Sequence, residues 1–213
     1  MLMIFTYLGH SCFKLKGKNA IVVTDPYDQK TFGKAMPKTK ADIVTVSHSH
    51  HDHCFLGRVV NSPFVVQGSG EYEIKGVSIW GIPSFHDKKA GAQRGKNTIY
   101  VYHVDNLRLC HLGDLGHKLD DNQIERIGEL DILMIPVGGV YTINAEEAAQ
   151  VVSQLEPKIV IPMHYKADGL AFELESLDEF LEEMNEKGIK PVRSLKIVKA
   201  TLPEEREVVW LKK

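Results

Sequence analysis

The chain has 213 residues, a 43% hydrophobic share and a formal net charge of -2, which fits one globular domain, residues 1–213, with a sizeable core. No apolar run approaches the ~20 residues of a membrane-spanning helix, and the scattered Lys and Arg form no basic stripe, which argues against a membrane or nucleic-acid partner. Three cysteines, Cys12, Cys54 and Cys110, cannot all pair and lack zinc-finger spacing, so a reducing cytoplasm is the expected setting.

In chain order, Met3 to Leu8, Ser11 to Leu15 and Ala20 to Thr24 read as short strands joined by tight turns. Met1 to Tyr7 has no basic n-region and no small-residue cleavage site, unlike a signal peptide. Asp25-Pro26 ends this meander, because proline keeps its predecessor extended and cannot donate to a ladder. Gln29 to Lys40, polar with Lys and Pro, is expected to be a surface loop. The β-branched run Ile43 to Val46 reads as a buried strand. Further strands are expected at Pro63 to Gln67, Glu71 to Lys75, Val77 to Ile82, Thr98 to Val104 and Leu107 to Leu112. Asp87 to Lys96, rich in Gly and Lys, reads as a loop placed to cover a substrate.

Helices enter later. Asp120 is the expected N-cap of a helix from Asp121 to Leu130. Capping boxes at Asn144 to Glu147 and Ser176 to Glu179 precede helices through Leu155 and Lys187, the last stopped at Gly188. Strands are expected at Ile132 to Pro136, Ile159 to Pro162, Leu195 to Val198 and Val208 to Leu211. Meanders first and strand-helix alternation later predict an α/β fold of two packed sheets with helices outside.

The chemistry is concentrated in Ser47-His48-Ser49-His50-His51-Asp52-His53. Side chains two apart on extended backbone point the same way, so His48 and His50 can close on one ion. Asp52 and His53 follow a change of direction and can face a second. The spacing matches the His-x-His-x-Asp-His signature, and here the chain resembles the metallo-β-lactamase-fold hydrolases. Asp25, His86, Asp114 and His164 stand in the family's order around it. Gly9-His10-Ser11, Arg94 to Thr98, His111 to His117 and Pro162 to Tyr165 look most like the small stand-alone Zn-dependent hydrolases related to the ascorbate-6-phosphate lactonases.

The resemblance implies a four-layer αββα sandwich with the metals at one end of the sheets. It implies that His86 completes a three-histidine set with His48 and His50, that His164 completes a second set with Asp52 and His53, and that Asp114 bridges. Asp25 corresponds to a carboxylate that orients a ligating imidazole, with turn capping before Pro26 as the competing role. The expected cofactor is Zn²⁺, two per chain, with Mn²⁺, Fe²⁺ or Ni²⁺ able to take the same ligands. The expected activity is hydrolysis of a small, anionic, lactone-like ester by a hydroxide held between the ions, with Asp52 indispensable; the alternative is a phosphodiesterase. The redox flavodiiron proteins of this fold replace the second signature histidine by glutamate, whereas His50 is retained.

His117, three residues past Asp114, could donate a proton to a leaving group or hydrogen-bond near a helix start. His10 could reach the site from the first turn, with a buried structural role as the other reading. His111 has the opposite strand parity to Asp114 and falls outside the ligand set. Arg94, Lys96, Asn97 and Lys166 are candidates for holding the substrate; the partner is a small molecule, with room for a homo-oligomer.

Overall fold

The computed structural model describes residues 1–213 apart from the side chain of Thr31. In chain order the strands are β1 (Met3–Gly9), β2 (Cys12–Lys16), β3 (Ile21–Thr24), β4 (Ile43–Val46), β5 (Phe64–Gln67), β6 (Gly70–Ile74), β7 (Val77–Phe85), β8 (Lys96–Val104), β9 (Leu107–His111), β10 (Ile132–Pro136), β11 (Ile159–Met163), β12 (Leu195–Ile197) and β13 (Glu207–Val208). The helices are α1 (Gln29–Phe32), α2 (Asp121–Ile127), α3 (Ala145–Leu155) and α4 (Leu177–Glu183). The strands form a six-stranded sheet, β12-β1-β2-β3-β4-β5, and a seven-stranded sheet, β13-β11-β10-β9-β8-β7-β6.

The inner faces meet in one apolar layer that includes Phe5, Phe13 and Ile43 from the first sheet and Ile79, Leu109, Met134 and Ile161 from the second. Alternation along each strand turns the next residue outward, so Leu133, Ile135 and Val160 pack instead with Val151, Val152 and Phe180 of α3 and α4. Polar atoms trapped between the sheets are paired: Thr45 Oγ1 lies 2.7 Å from Tyr102 Oη, and Tyr100 Oη donates to the Val46 carbonyl at 3.0 Å. The order of layers is the expected αββα sandwich, with one outer layer reduced. Over the first sheet lie α1 and its flanking segments, packed through Tyr27, Phe32 and Met36, with Leu170 and Phe172 added from the far end of the chain. Gln29 to Lys40 is therefore more than a polar surface loop, because Phe32 and Met36 are buried.

Asp120 and Asn144 close capping boxes on the backbone N–H groups of Gln123 and Glu147, as their spacing predicts. Ser176 precedes α4 without capping its backbone; its hydroxyl reaches Glu179 at 3.4 Å instead. α4 stops at Glu183, short of Gly188, and the last strand keeps only Glu207–Val208 plus a bridge between Val192 and Leu211.

Strand direction positions the site. β1 and β3 both run antiparallel to β2, and β4 is parallel to β3; β7 and β9 both run antiparallel to β8, and β11 follows through parallel β10. The C-terminal ends of β1, β3, β4, β7, β9 and β11 consequently open into one crevice, the usual place for a site in parallel arrangements. Among the described residues, no helix is long and apolar enough to cross a membrane.

Candidate metal centre

Each of those strand ends delivers one piece of a histidine and carboxylate cluster. β4 runs into the loop that carries His48, His50, Asp52 and His53; β7 ends before His86, β9 before Asp114 and β11 before His164. Gly113, at φ +57°, makes the bend that turns Asp114 inward, and a side chain there would collide with Asn97 and Ser47. His164 itself has left-handed backbone, φ 53°, held by an N–H donated to the His10 carbonyl at 3.1 Å.

Asp114 lies at the centre, 2% exposed. Its Oδ2 is 3.1 Å from His53 Nε2, 3.2 Å from both His86 Nε2 and His164 Nε2, and 3.8 Å from His48 Nε2. His48 Nε2 approaches His50 Nδ1 at 3.1 Å, and His48, His50 and His86 bring one nitrogen each within 4.8 Å of one another. On the other side Asp52 Oδ2 lies 3.7 Å from His53 Nε2. Asp114 Oδ1 and the Nδ1 atoms of His86 and His164 are buried without a partner.

Buried polar atoms are normally paired, so lone pairs and imidazole nitrogens converging this way fit cations between them. The donor set, imidazole nitrogens with carboxylates, is that of Zn²⁺, Fe²⁺, Mn²⁺ or Ni²⁺. Ligating histidines must be neutral. Burial, helped by the neighbouring His53, lowers His48 to about 3, and burial likewise lowers His50. For Asp114 burial opposes ionisation, yet the His164 and His53 rings outweigh it and hold the carboxyl well below the usual range.

His53 differs. Burial opposes its charge, but Asp114, Asp25 and Asp52 together raise it well above the ordinary histidine value. In the metal-free chain this charge contributes stability below the unfolded histidine pKa of ~6.5 and loses it as pH rises through the raised value. A cation must displace that proton. Metal uptake at pH 7 is therefore expected to release about one proton per chain from His53, read by calorimetric titration in buffers of different ionisation enthalpy.

Asp25, fully buried at φ 37°, takes the imidazole-orienting role of the two expected for it, its carboxylate being engaged by Ser47 and His53 rather than by the turn at Pro26. Oδ1 accepts the Ser47 N–H at 2.8 Å, while Oδ2 accepts the Ser47 hydroxyl at 2.6 Å and the His53 Nδ1–H at 3.0 Å. Ser47 Oγ in turn sits 2.9 Å from His48 Nδ1. One relay thus fixes both rings with Nε2 turned to the centre, and Ser47 is a participant that sequence reasoning missed. Asp25→Asn is expected to weaken metal affinity about 10- to 100-fold, measured by competition with a chromophoric chelator.

His117 is placed otherwise than its proximity to Asp114 suggested. Gly116 packs on the backbone of His86 and Asp87, and beyond it His117 Nε2 accepts the Phe85 N–H at 3.1 Å while Nδ1 faces the Lys118 carbonyl at 2.7 Å. Both nitrogens are engaged by backbone, which leaves no proton to give to a leaving group. His111 is likewise tied on both sides, to the Ser11 carbonyl at 2.8 Å and the Gly113 N–H at 3.1 Å. Cys54 Sγ lies 3.5 Å from the Ser49 carbonyl.

A cleft of about 280 Å³ opens over the cluster, lined by His50, Asp52, His86, Arg94, Asp114, Tyr141, His164 and Phe172. Arg94 lies over the Tyr141 ring at 5.5 Å, and Tyr141 meets Phe172 edge-on at 5.8 Å. The loop carrying Arg94 is gathered by Asp87, whose carboxylate accepts the N–H groups of Lys89, Gly91, Gln93 and Arg94 at 2.7–3.0 Å. Burial opposes the charge of Asp87, but these four donors outweigh it and lower it to about 2. Asp87→Ala is expected to speed amide exchange across residues 88–95 and to raise KM. Asn97 holds Asp114 through the latter's N–H at 3.0 Å rather than facing the cleft, whose lining includes neither Lys96 nor Lys166.

A family model, the beta-lactamase superfamily domain, matches residues 4–164. The chain belongs to this superfamily. Curated relatives are the UPF0173 metal-dependent hydrolases. That of Pelotomaculum thermopropionicum is 31% identical over 76% of this chain and 84% of its own, and that of Thermoplasma volcanium 30% over 77% and 86%. Among solved structures, a proposed Zn-dependent hydrolase of the metallo-β-lactamase superfamily from Thermotoga maritima aligns with a TM-score of 0.82 at 39% identity, covering 98% of both chains. This superfamily member is a metal-dependent hydrolase with the metallo-β-lactamase fold.

Proposed function

We propose that the chain hydrolyses a carbonyl centre, a lactone-like ester, in a small anionic molecule, using two divalent cations. One observation carries the reading: Asp114 Oδ2 stands within 3.2 Å of three imidazole nitrogens, with His48 at 3.8 Å and the cleft opening on the same carboxylate. His48, His50 and His86 would hold one cation, Asp52, His53 and His164 the other, and Asp114 both. Zn²⁺ suits this nitrogen-rich set, with Mn²⁺, Fe²⁺ or Ni²⁺ as alternatives. Bound there, such cations supply an activated water at neutral pH and a positive field for an oxygen that gains charge.

The remaining work falls to the chain itself. Asp25 and Ser47 lock the ring orientations, so the donor nitrogens need no rearrangement during turnover. Arg94 offers a planar cation at the mouth for a carboxylate or phosphate, and Tyr141 and Phe172 line the cleft beside it with aromatic surface. A cleft of about 280 Å³ favours a small molecule over a polymer. Arg94→Ala is expected to raise KM for an anionic substrate roughly tenfold with little change in kcat, as loss of uniform binding does.

The competing reading is a phosphodiesterase, favoured by the suitability of the same centre for phosphorus. Turnover by metal-loaded protein across lactones, thioesters, β-lactams and bis(p-nitrophenyl) phosphate separates the two. Preference for lactones supports the proposal; turnover confined to the phosphodiester overturns it.

A further inference from the structure

His10 follows Gly9 in the turn between β1 and β2, with left-handed backbone at φ 57° and 1% exposure. Its carbonyl is held by the Tyr7 hydroxyl at 2.9 Å and the His164 N–H at 3.1 Å. Phe32 packs on its ring at 4.7 Å, and the His164 ring lies 4.3 Å away on the cluster side. The side chain is thereby directed at the cluster, with Nε2 at 3.0 Å from His53 Nε2 and 3.3 Å from Asp52 Oδ2.

Structural histidines in this protein have a clear signature. His111 and His117 each place both ring nitrogens against backbone groups. His86 and His164 instead turn Nε2 to the cluster and leave a buried Nδ1 without a partner. His10 has the second pattern: its Nδ1 is buried and unpartnered, its Nε2 faces that of His53, and His10, His53 and His164 bring one nitrogen each within 4.8 Å of one another. Its nearest polar neighbour is another imidazole nitrogen, an approach that an N–H···N hydrogen bond satisfies in the metal-free chain and that a shared cation satisfies in its place. Two nitrogens bound at ~2.1 Å to one cation lie about 3.0–3.4 Å apart, which matches this pair.

Resting on the two-cation reading above, we infer that His10 is a further ligand of the second cation, through Nε2. That position then has three imidazoles, His10, His53 and His164, and two carboxylates, Asp52 and Asp114. The first has His48, His50, His86 and Asp114. The two positions differ in donor number, and a single turn at the N-terminal end of the chain contributes directly to the chemistry of β4 and β11.

The test has two parts. A crystal structure of the Zn²⁺-loaded protein, with anomalous data at the zinc edge, gives the distance from His10 Nε2 to the second ion. A value of about 2.0–2.3 Å is expected. A distance beyond about 3 Å with both ions present overturns the role of His10 and leaves the two-cation reading standing, whereas a centre that takes no ion overturns that reading itself. In parallel, Zn²⁺ is titrated into metal-free wild type and His10→Asn, a substitution that tolerates left-handed backbone and withdraws the distal nitrogen. The variant is expected to weaken one of two binding steps by 10-fold or more with the other unchanged. Two unaltered steps in a variant with a wild-type circular dichroism spectrum overturn the proposal.

Discussion

Asp114→Ala is expected to bind fewer than two cations per chain and to lower turnover by about 10³-fold or more, equivalent to ~4 kcal/mol of transition-state stabilisation. Asp114 Oδ2 is the acceptor on which His53, His86 and His164 converge at 3.1–3.2 Å, so its removal leaves imidazoles facing one another with no charge to balance a cation. Metal content by mass spectrometry and turnover of the best panel substrate check this. Asp52→Ala supplies the contrast. In the proposed arrangement Asp52 serves the second position only, so that variant is expected to keep about one cation and lose nearly all turnover. Unchanged turnover would remove Asp52 from the mechanism. Equal loss of both cations in the two variants would mean that the positions do not fill separately.

Gly138→Ala is expected to have the largest effect among substitutions that replace no proposed ligand. Gly138 follows β10, and a Cβ there would overlap the backbone carbonyl of His164, with the Tyr165 Cα at 3.1 Å. Backbone cannot step aside as a side-chain tip can. His164 is already left-handed, and its N–H fixes the His10 turn, so the collision is passed to both rings. Overpacking of this kind costs about 1–3 kcal/mol, and at ~2–4 °C per kcal/mol for a chain of this size the midpoint should fall by roughly 2–12 °C. Metal affinity should fall with it. A midpoint and a metal titration equal to wild type would show that the close approach is not rigid.

What could be read from the sequence follows from the range of the interactions involved. The strands were legible because β-branched runs such as Ile43 to Val46 are buried on both faces and end where Asp25 or Ser47 begins. His48, His50, Asp52 and His53 were legible as a group because a single loop carries them. His10 was legible only as one of two readings, because its contact with Asp52 spans 42 positions and depends on the turn after β1 meeting the loop after β4 across the two strands between them. Tyr141 and Phe172 look like ordinary loop aromatics until β10 and β11 bring them over the cleft. Proximity misled in the case of His117: Gly116 sits so tightly on His86 that the chain turns behind Phe85, and three residues of sequence become a change of side. The Lys and Pro residues of Gln29 to Lys40 concealed Phe32 and Met36, which cover the outer face of the first sheet.

Anomalous diffraction from metal-loaded crystals is the most direct measurement of whether these strand ends form a two-cation centre. Two peaks per chain are predicted, one among His48, His50 and His86, the other among Asp52, His53 and His164, with Asp114 between them. A single peak, or none at saturating metal, would contradict it.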